Sequence, residues 1–368
     1  MKNSATPERR RLRSAVVEWL LLATSTAGVL GTAILLFTLT FHERRPAGAP
    51  HPSPIADDLL DLAVSPTGRV TAVGHNGRIL QSADGGRTFV FRESGVTTPL
   101  AAVGFRDERV GLAAGYGGVI LRTTDGGETW TSIASGVDVY LTSIRFRSGG
   151  EVFAAGEWGT VLRSRDDGES WAALTTREHD FIVAEIAFAE GGAGWAVGEF
   201  GRALASADGG ATWQERQLLD DETSLFSVDV VSAREIWIAG AGSVLLHSTD
   251  GGTTWTRTTA PCEKTQLLRV RFAAGRGYAV GRRCAVVSED AGASWRKSAL
   301  GDAIPYSWIY GLDVTADGVW AAGYHESLFH AGPDDRSWQR VVVERGTEQA
   351  PGLFVGRNAK LEPMSAGS

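Results

Sequence analysis

Lysine is nearly missing from this chain. Only Lys2, Lys264, Lys297 and Lys360 occur among 368 residues, while arginine is abundant, a bias that points to a GC-rich genome more than to a special chemistry. Cysteine is scarcer still, with Cys262 and Cys284 alone and no CxxC, which argues against a redox role. The seven histidines are scattered and form neither HxH nor HExxH, so no metal motif is present and no cofactor is expected. Positive charge is short as well. The formal net charge is −7, and it hides an asymmetry: residues 1–45 carry +4, leaving −11 for the rest. A body with that surplus of acid cannot neutralise phosphates, which excludes nucleic acid as a partner.

One long apolar run exists. "ERRRLRS" precedes "WLLLATSTAGVLGTAILLFTLTF", residues 19–41, which hold no charge. As a helix they would span about 35 Å, enough for a bilayer core. Lys2, Arg9, Arg10, Arg11 and Arg13 outnumber Arg44 and Arg45, so residues 1–18 are expected in the cytoplasm and everything after Phe41 outside. The run is long for a cleaved signal, and "AGA" at 47–49 is followed by Pro50, a poor cleavage site. An uncleaved transmembrane signal anchor is therefore expected, on the cytoplasmic (inner) membrane with the remainder periplasmic. Residues 42–56, with "RPAGAPHPSP", form a Pro-rich spacer.

Beyond the spacer the chain is repetitive. "SADGGRTF" ends at Phe89, "TTDGGETW" at Trp130, "SRDDGESW" at Trp171, "SADGGATW" at Trp213, "STDGGTTW" at Trp255 and "SEDAGASW" at Trp295. A decayed copy, "AGPDDRSW", ends at Trp338, and the spacings are 41, 41, 42, 42, 40 and 43 residues. A glycine behind small residues keeps the same beat at Gly74, Gly115, Gly156, Gly198, Gly240, Gly281 and Gly323. In the third unit "YLTSIRFRS", "EVFAAGEW", "GTVLRSRD" and "SWAALTT" read as four short strands. Four strands per unit, seven times over residues 57–343, predict an all-β, seven-bladed β-propeller of four-stranded blades behind an N-terminal transmembrane helix. The aspartates Asp84, Asp125, Asp166, Asp208, Asp250 and Asp290 then fall in hairpin turns between third and fourth strands. They are expected to accept backbone N–H bonds there, not to catalyse. The tail, 344–368, is charged and then polar, with "GLFVG" a candidate edge strand.

The joint pattern "GxxGxVLxSxDGGxTW" resembles the Asp-box, or bacterial neuraminidase, repeat. Its uniformity over seven units and the fixed offset of the glycine marker resemble the photosystem II stability/assembly factor family in particular, over residues 57–343. That resemblance implies an extracytoplasmic seven-bladed propeller with Asp-box turns and, in photosynthetic members, an assembly chaperone that uses an arginine-rich patch. None of those arginines can be matched to this sequence one by one.

Recognition belongs where the repeats disagree. Directly after each marker glycine stand His75-Asn76, Tyr116-Gly117, Glu157-Trp158, Glu199-Phe200, Ala241-Gly242, Arg282-Arg283 and Tyr324-His325. These turns share a face, here called upper, with the connections between blades, among them "REHDF", "LLDDET", "PCEKTQ" and "DAIPYSWIY". His75, Tyr116, Glu157, Trp158, Glu199, Phe200, Arg282, Arg283, Tyr324 and His325 are accordingly the candidate binding residues, with aromatic tips suited to interface centres. The opposing reading is drift at unconstrained turns. His75 and His325 become neighbours in a closed ring, either as a zinc pair or as two surface histidines. Arg145, Arg147, Arg163 and Arg165 form one basic cluster, and Arg269, Arg271, Arg282 and Arg283 another; they either echo the family's arginine patch or, the reading favoured, pair with the many acids. Cys262 and Cys284 fall on the upper side of the sixth unit, and export makes a disulfide the natural reading, worth about 3 kcal/mol in the chain-entropy model.

The function expected is a membrane-anchored scaffold or assembly factor that holds a membrane protein or an exported segment of a membrane complex. A glycan-binding module is the alternative from another class. A sialidase-like glycoside hydrolase is the third, with Glu157 and Glu199, at equivalent turns of adjacent blades, as its candidate carboxylate pair, but no "RIP" motif is present and the repeats are too regular for that family.

Overall fold

The computed structural model describes residues 58–175, 178–300, 308–335, 338–343 and 359–363. The basic N-terminus, the apolar segment 19–41, the spacer 42–56 and the tail apart from 359–363 lie outside the described residues, as does "GLFVG". No helix among the described residues is long and apolar enough to cross a membrane.

Seven antiparallel sheets follow one another along the chain, each made from one contiguous stretch and each with its strands in sequence order. Blade 3 is representative, with strands Leu141–Phe146, Val152–Gly156, Val161–Ser164 and Ala172–Thr175. The first strand of every blade packs on the first strands of both neighbours, so these inner strands ring the axis. Closure is direct. Leu59–Val64 of blade 1 packs on Ile309–Thr315 of blade 7, with no strand exchanged between them. Blade 7 carries a fifth strand, Ala359–Pro363, paired with Gln339–Val343 at the outer edge.

A blade has two apolar faces and no core of its own. The apolar residues form seven clusters, each drawn from two adjacent blades; one joins Phe153 and Val161 of blade 3 to Ile186 and Leu204 of blade 4. The second strands are accordingly buried from end to end, as in "VFAAG" and "WIAG".

Two glycine positions make this packing possible. A Cβ on the marker glycine Gly156 would lie 2.0 Å from the Tyr140 carbonyl oxygen, and one on Gly281 1.9 Å from that of Gln266. The marker is thus an approach of two backbones at the start of the inner strand. The second glycine of the hairpin motif serves a different contact. A Cβ on Gly252 would sit 2.1 Å from the ring of Trp195 in the preceding blade, and one on Gly292 the same distance from Trp237. Each such ring is a knob on blade n seated in the hairpin of blade n+1.

The hairpin aspartates act on their own turns. Asp250 Oδ1 accepts the N–H groups of Thr253 and Thr254 at 3.0 and 2.9 Å, and Oδ2 accepts the Thr254 hydroxyl at 2.6 Å. Ser248 Oγ donates to Asp250 and accepts the Gly252 N–H at 2.8 Å. Asp84, Asp125, Asp166, Asp208 and Asp290 repeat the two bonds from the residue four places on, its N–H to Oδ1 and its hydroxyl to Oδ2. The hydroxyl donor first, and then the backbone N–H, holds Asp166, Asp208, Asp250 and Asp290 at about 2. In blade 7 the hydroxyl position is Ala331, and Asp335 instead turns inward to the Trp338 indole at 2.8 Å and Ser298 of blade 6 at 2.7 Å.

Candidate functional site

The upper face is built by one repeated hydrogen bond. The N–H after each marker glycine donates to the carbonyl of the residue before the inner strand: His75 to Asp58, Tyr116 to Pro99, Glu157 to Tyr140, Glu199 to Ile182, Ala241 to Ser224, Arg282 to Gln266 and Tyr324 to Trp308, all at 2.9–3.2 Å. The next residue always adopts the left-handed conformation. Gly117 and Gly242 do so at φ 69° and 68°, but so do Asn76, Trp158, Phe200, Arg283 and His325, at 53–59°. Frame and decoration are therefore separable. A bulky aromatic at φ 59° is disfavoured by about 1 kcal/mol or more against glycine, and such outliers gather at functional positions.

Exposure singles out three of the sequence-predicted aromatics. Trp158 is 50 % exposed, Tyr116 45 % and Tyr324 41 %. Phe200 is half-buried against the blade 3–4 cluster, with the Arg202 guanidinium 5.8 Å from its ring. Tyr116 reaches Tyr140, centroids 6.1 Å apart, joining blades 2 and 3, and the successive tips of blades 2, 3 and 4 carry Tyr116, Trp158 and Phe200, here called the aromatic crescent. Tyr324 stands apart on blade 7, stacked on His325 at 3.7 Å.

The acids of these turns are partly committed. Glu157 Oε2 accepts the Tyr140 N–H and Glu199 Oε2 the Ile182 N–H, each at 3.0 Å. Burial, and the negative charge of Glu157 on the adjacent blade, push the Glu199 carboxyl above its ordinary range. His75 and His325 do meet at the closure, through Asp58: its carbonyl accepts the His75 N–H at 3.1 Å and its Oδ1 the His325 N–H at 3.0 Å. Among the described residues no group of three or more His, Cys, Asp or Glu is placed to hold a metal.

Arg282 and Arg283 occupy the tip on blade 6. The Arg282 guanidinium lies 5.2 Å from the Trp308 ring, which stacks on Tyr310. A Cys262–Cys284 disulfide, with Cα atoms 6.1 Å apart, and the Thr265 hydroxyl donating to the Arg282 carbonyl at 2.8 Å fix this loop to the preceding connection. Tyr140 and Trp308 escaped the sequence reading as site residues because they precede inner strands and do not sit in turns. Their signal was positional, since each stands where its carbonyl opposes a marker glycine.

Below the upper rim the inner strands fill the axis with charge. Glu185 of blade 4 pairs with Arg145 of blade 3 and Arg271 of blade 6, and accepts the Ser227 hydroxyl at 2.6 Å. Burial alone would raise its pKa, but Arg271, Arg145 and Arg269 hold it far below the usual carboxylate range. Arg147 and Arg163 both pair with Glu151. Within the basic clusters of blades 3 and 6, Arg145, Arg147, Arg163 and Arg271 are thus ion-paired, whereas Arg282 lies over Trp308. A hollow of about 280 Å³ remains beside the network, lined by Asp61, Asp313, Arg145, Arg271 and apolar residues such as Phe105 and Leu312.

The family model described as photosynthesis system II assembly factor YCF48 matches residues 93–180 and 174–262, and the resemblance to the photosystem II stability/assembly factor family stands on that match. No curated protein matches the chain. Among solved structures, that of YCF48 bound to D1 peptide superposes with a TM-score of 0.64 at 19 % identity, covering 79 % of this chain and 100 % of the other. YCF48 from Cyanidioschyzon merolae gives 0.63 at 19 %, over 77 % and 98 %. An ancestral GH74 enzyme gives 0.64 at 14 %, over 86 % of this chain and 50 % of its own. These likenesses establish the fold.

Proposed function

We propose that this chain is a protein-binding scaffold, an assembly or stability factor that holds a segment of a membrane protein complex on the upper face of its propeller. The observation that carries the reading is the set of turns after the marker glycines. Their backbone is invariant, while Trp158 and Phe200 occupy left-handed positions that glycine fills in blades 2 and 5. Drift would favour glycine there; a binding role explains the aromatics. The D1 peptide bound by one structural relative supports the same class of partner. In this reading residues 19–41 anchor the chain in the cytoplasmic membrane with the propeller outside. The described chain enters blade 1 at Asp58, on the upper face. The hairpin aspartates serve only as turn formers.

The test is photo-crosslinking in native membranes. A crosslinker at Tyr116 or Tyr324 is expected to capture a membrane protein, and one at Arg87 or Thr253, in the hairpins of the opposite face, is not. Equal capture from both faces would overturn the reading. A glycoside hydrolase has one observation in its favour, the likeness to the ancestral GH74 enzyme. Each carboxylate of its candidate pair is, however, tied to a backbone N–H. Hydrolysis of a fluorogenic glycoside, lost in Glu157→Gln or Glu199→Gln, would establish it.

A further inference from the structure

The upper face is uneven in charge as well as in shape. Its aromatic crescent, with Tyr116 and Trp158 exposed and Phe200 half-buried, lies on blades 2 to 4, while its exposed arginines, Arg282 and Arg283, lie on blade 6. The chemistry around the crescent is anionic. Glu157 and Glu199 directly precede Trp158 and Phe200, and each uses one oxygen on a backbone N–H. Neither has an ion-pair partner among the described residues, and the two repel each other across the blade boundary. Asp220 and Glu222, in the connection from blade 4 to blade 5, are exposed on the same face. An indole face offers its negative quadrupole to cations, and desolvation by the surrounding rings strengthens that attraction.

We propose that the crescent takes an extended partner segment through a lysine or arginine side chain laid on Trp158, with its charge toward Glu157 and Glu199 and flanking apolar residues on Tyr116 and Phe200. This rests on the reading that the upper face binds protein, and adds the sign of the partner and the blades it occupies. The Arg202 guanidinium, between the rings of Phe200 and Phe181 at 5.8 Å from each and paired with Asp180, is a positioning group that holds Phe200 at the edge of the crescent. The blade 6 arginines take no part in this contact.

Two short synthetic peptides decide it, one alternating leucine with lysine and one alternating leucine with glutamate, titrated onto the detergent-solubilised full-length chain. The lysine peptide is expected to bind, more weakly as salt rises, and the glutamate peptide is not. Trp158→Gly is expected to weaken binding about tenfold. The double change Glu157→Gln with Glu199→Gln is expected to remove most of the salt dependence, and Trp158→Phe to restore much of the affinity. Thermal melting of Trp158→Gly separates lost contact from lost fold, because glycine suits φ 59°. Binding of neither peptide overturns the inference. Preference for the glutamate peptide, lost in Arg282→Ala, also overturns it but leaves the upper-face reading standing. Binding indifferent to every one of these upper-face changes overturns both.

Discussion

At the scale of single residues, the hairpin glycines do two jobs that the motif alone cannot separate. Gly252 stands at φ 87°, and its missing Cβ is also the hole for the Trp195 ring. Gly252→Ala is expected to lower stability by about 2 to 5 kcal/mol, from left-handed strain together with overpacking. The double change with Trp195→Leu should recover part of the packing share and leave the strain, since the flexible tip of a leucine, which blade 2 uses as Leu112 over Gly168, gives way more readily than an indole. Urea unfolding of the four species measures both parts; additive losses would refute the coupling. The upper turns make the converse case. Trp158→Gly should leave the melting temperature unchanged or raise it, because that position already has the backbone geometry glycine prefers. A clear drop would mean that the indole is a structural element, with its 50 % exposure incidental.

Elements are joined by polar side chains that the repeat does not repeat. An inner strand has no partner on its axial side, so its N–H groups need acceptors from elsewhere. Asp61 supplies one to Val103 at 3.0 Å, Ser143 to Ile186 at 3.2 Å, Glu185 to Val228 at 3.1 Å and Ser227 to Val270 at 3.0 Å, each from one blade to the next. The same strand position thus carries aspartate, serine and glutamate for one purpose. A search for recurring residues cannot see this, although it found the period, the four strands and the face of the turns. "YLTSIRFRS" was legible as a strand because alternation is local; the partner of Ser143 was not, because it lies 43 residues on in another sheet. The tail strand that pairs on blade 7, Ala359–Pro363, was not legible, because its apolar alternation is too short to mark it. At that outer edge, backbone pairing decides. Glu185, 3 % exposed, shows how much one such group carries. Glu185→Ala should cost about 3 kcal/mol in urea unfolding, since it strands Arg145 and Arg271 and leaves the Val228 N–H unmet. Glu185→Gln should cost less, because it keeps an acceptor. Equal losses would remove the hydrogen-bonding part of this account.

At the scale of the whole molecule, the closed ring gathers charge that no single blade would tolerate. Asp61, Glu185, Asp229 and Asp313 share the axis with Arg145, Arg269 and Arg271, one carboxylate more than the guanidiniums balance. Asp313 shows the excess most clearly. Burial pushes its carboxyl up to about 6, against the Val64 N–H at 2.8 Å and the charges of Arg271 and Arg145. A carboxyl held above its unfolded value binds its proton more tightly when folded. Its contribution is therefore full below the unfolded value of 3.8 and is lost as pH rises through about 6. The hairpin aspartates run the other way: held at about 2, their contribution is full above 3.8 and lost as pH falls through 2. His247 and His330, lowered by burial, also disfavour acid. The Asp313 contribution is isolated by comparison with Asp313→Asn, which keeps an acceptor for Val64 but carries no charge. Above pH 7 the variant should be the more stable by on the order of 2 kcal/mol, and the gap should close between about pH 6 and 4 as the native carboxyl takes up its proton. Urea unfolding at a series of pH values reads the gap directly. A gap that does not vary with pH would mean that the axial arginines already neutralise Asp313, and that the ring closes around a balanced network.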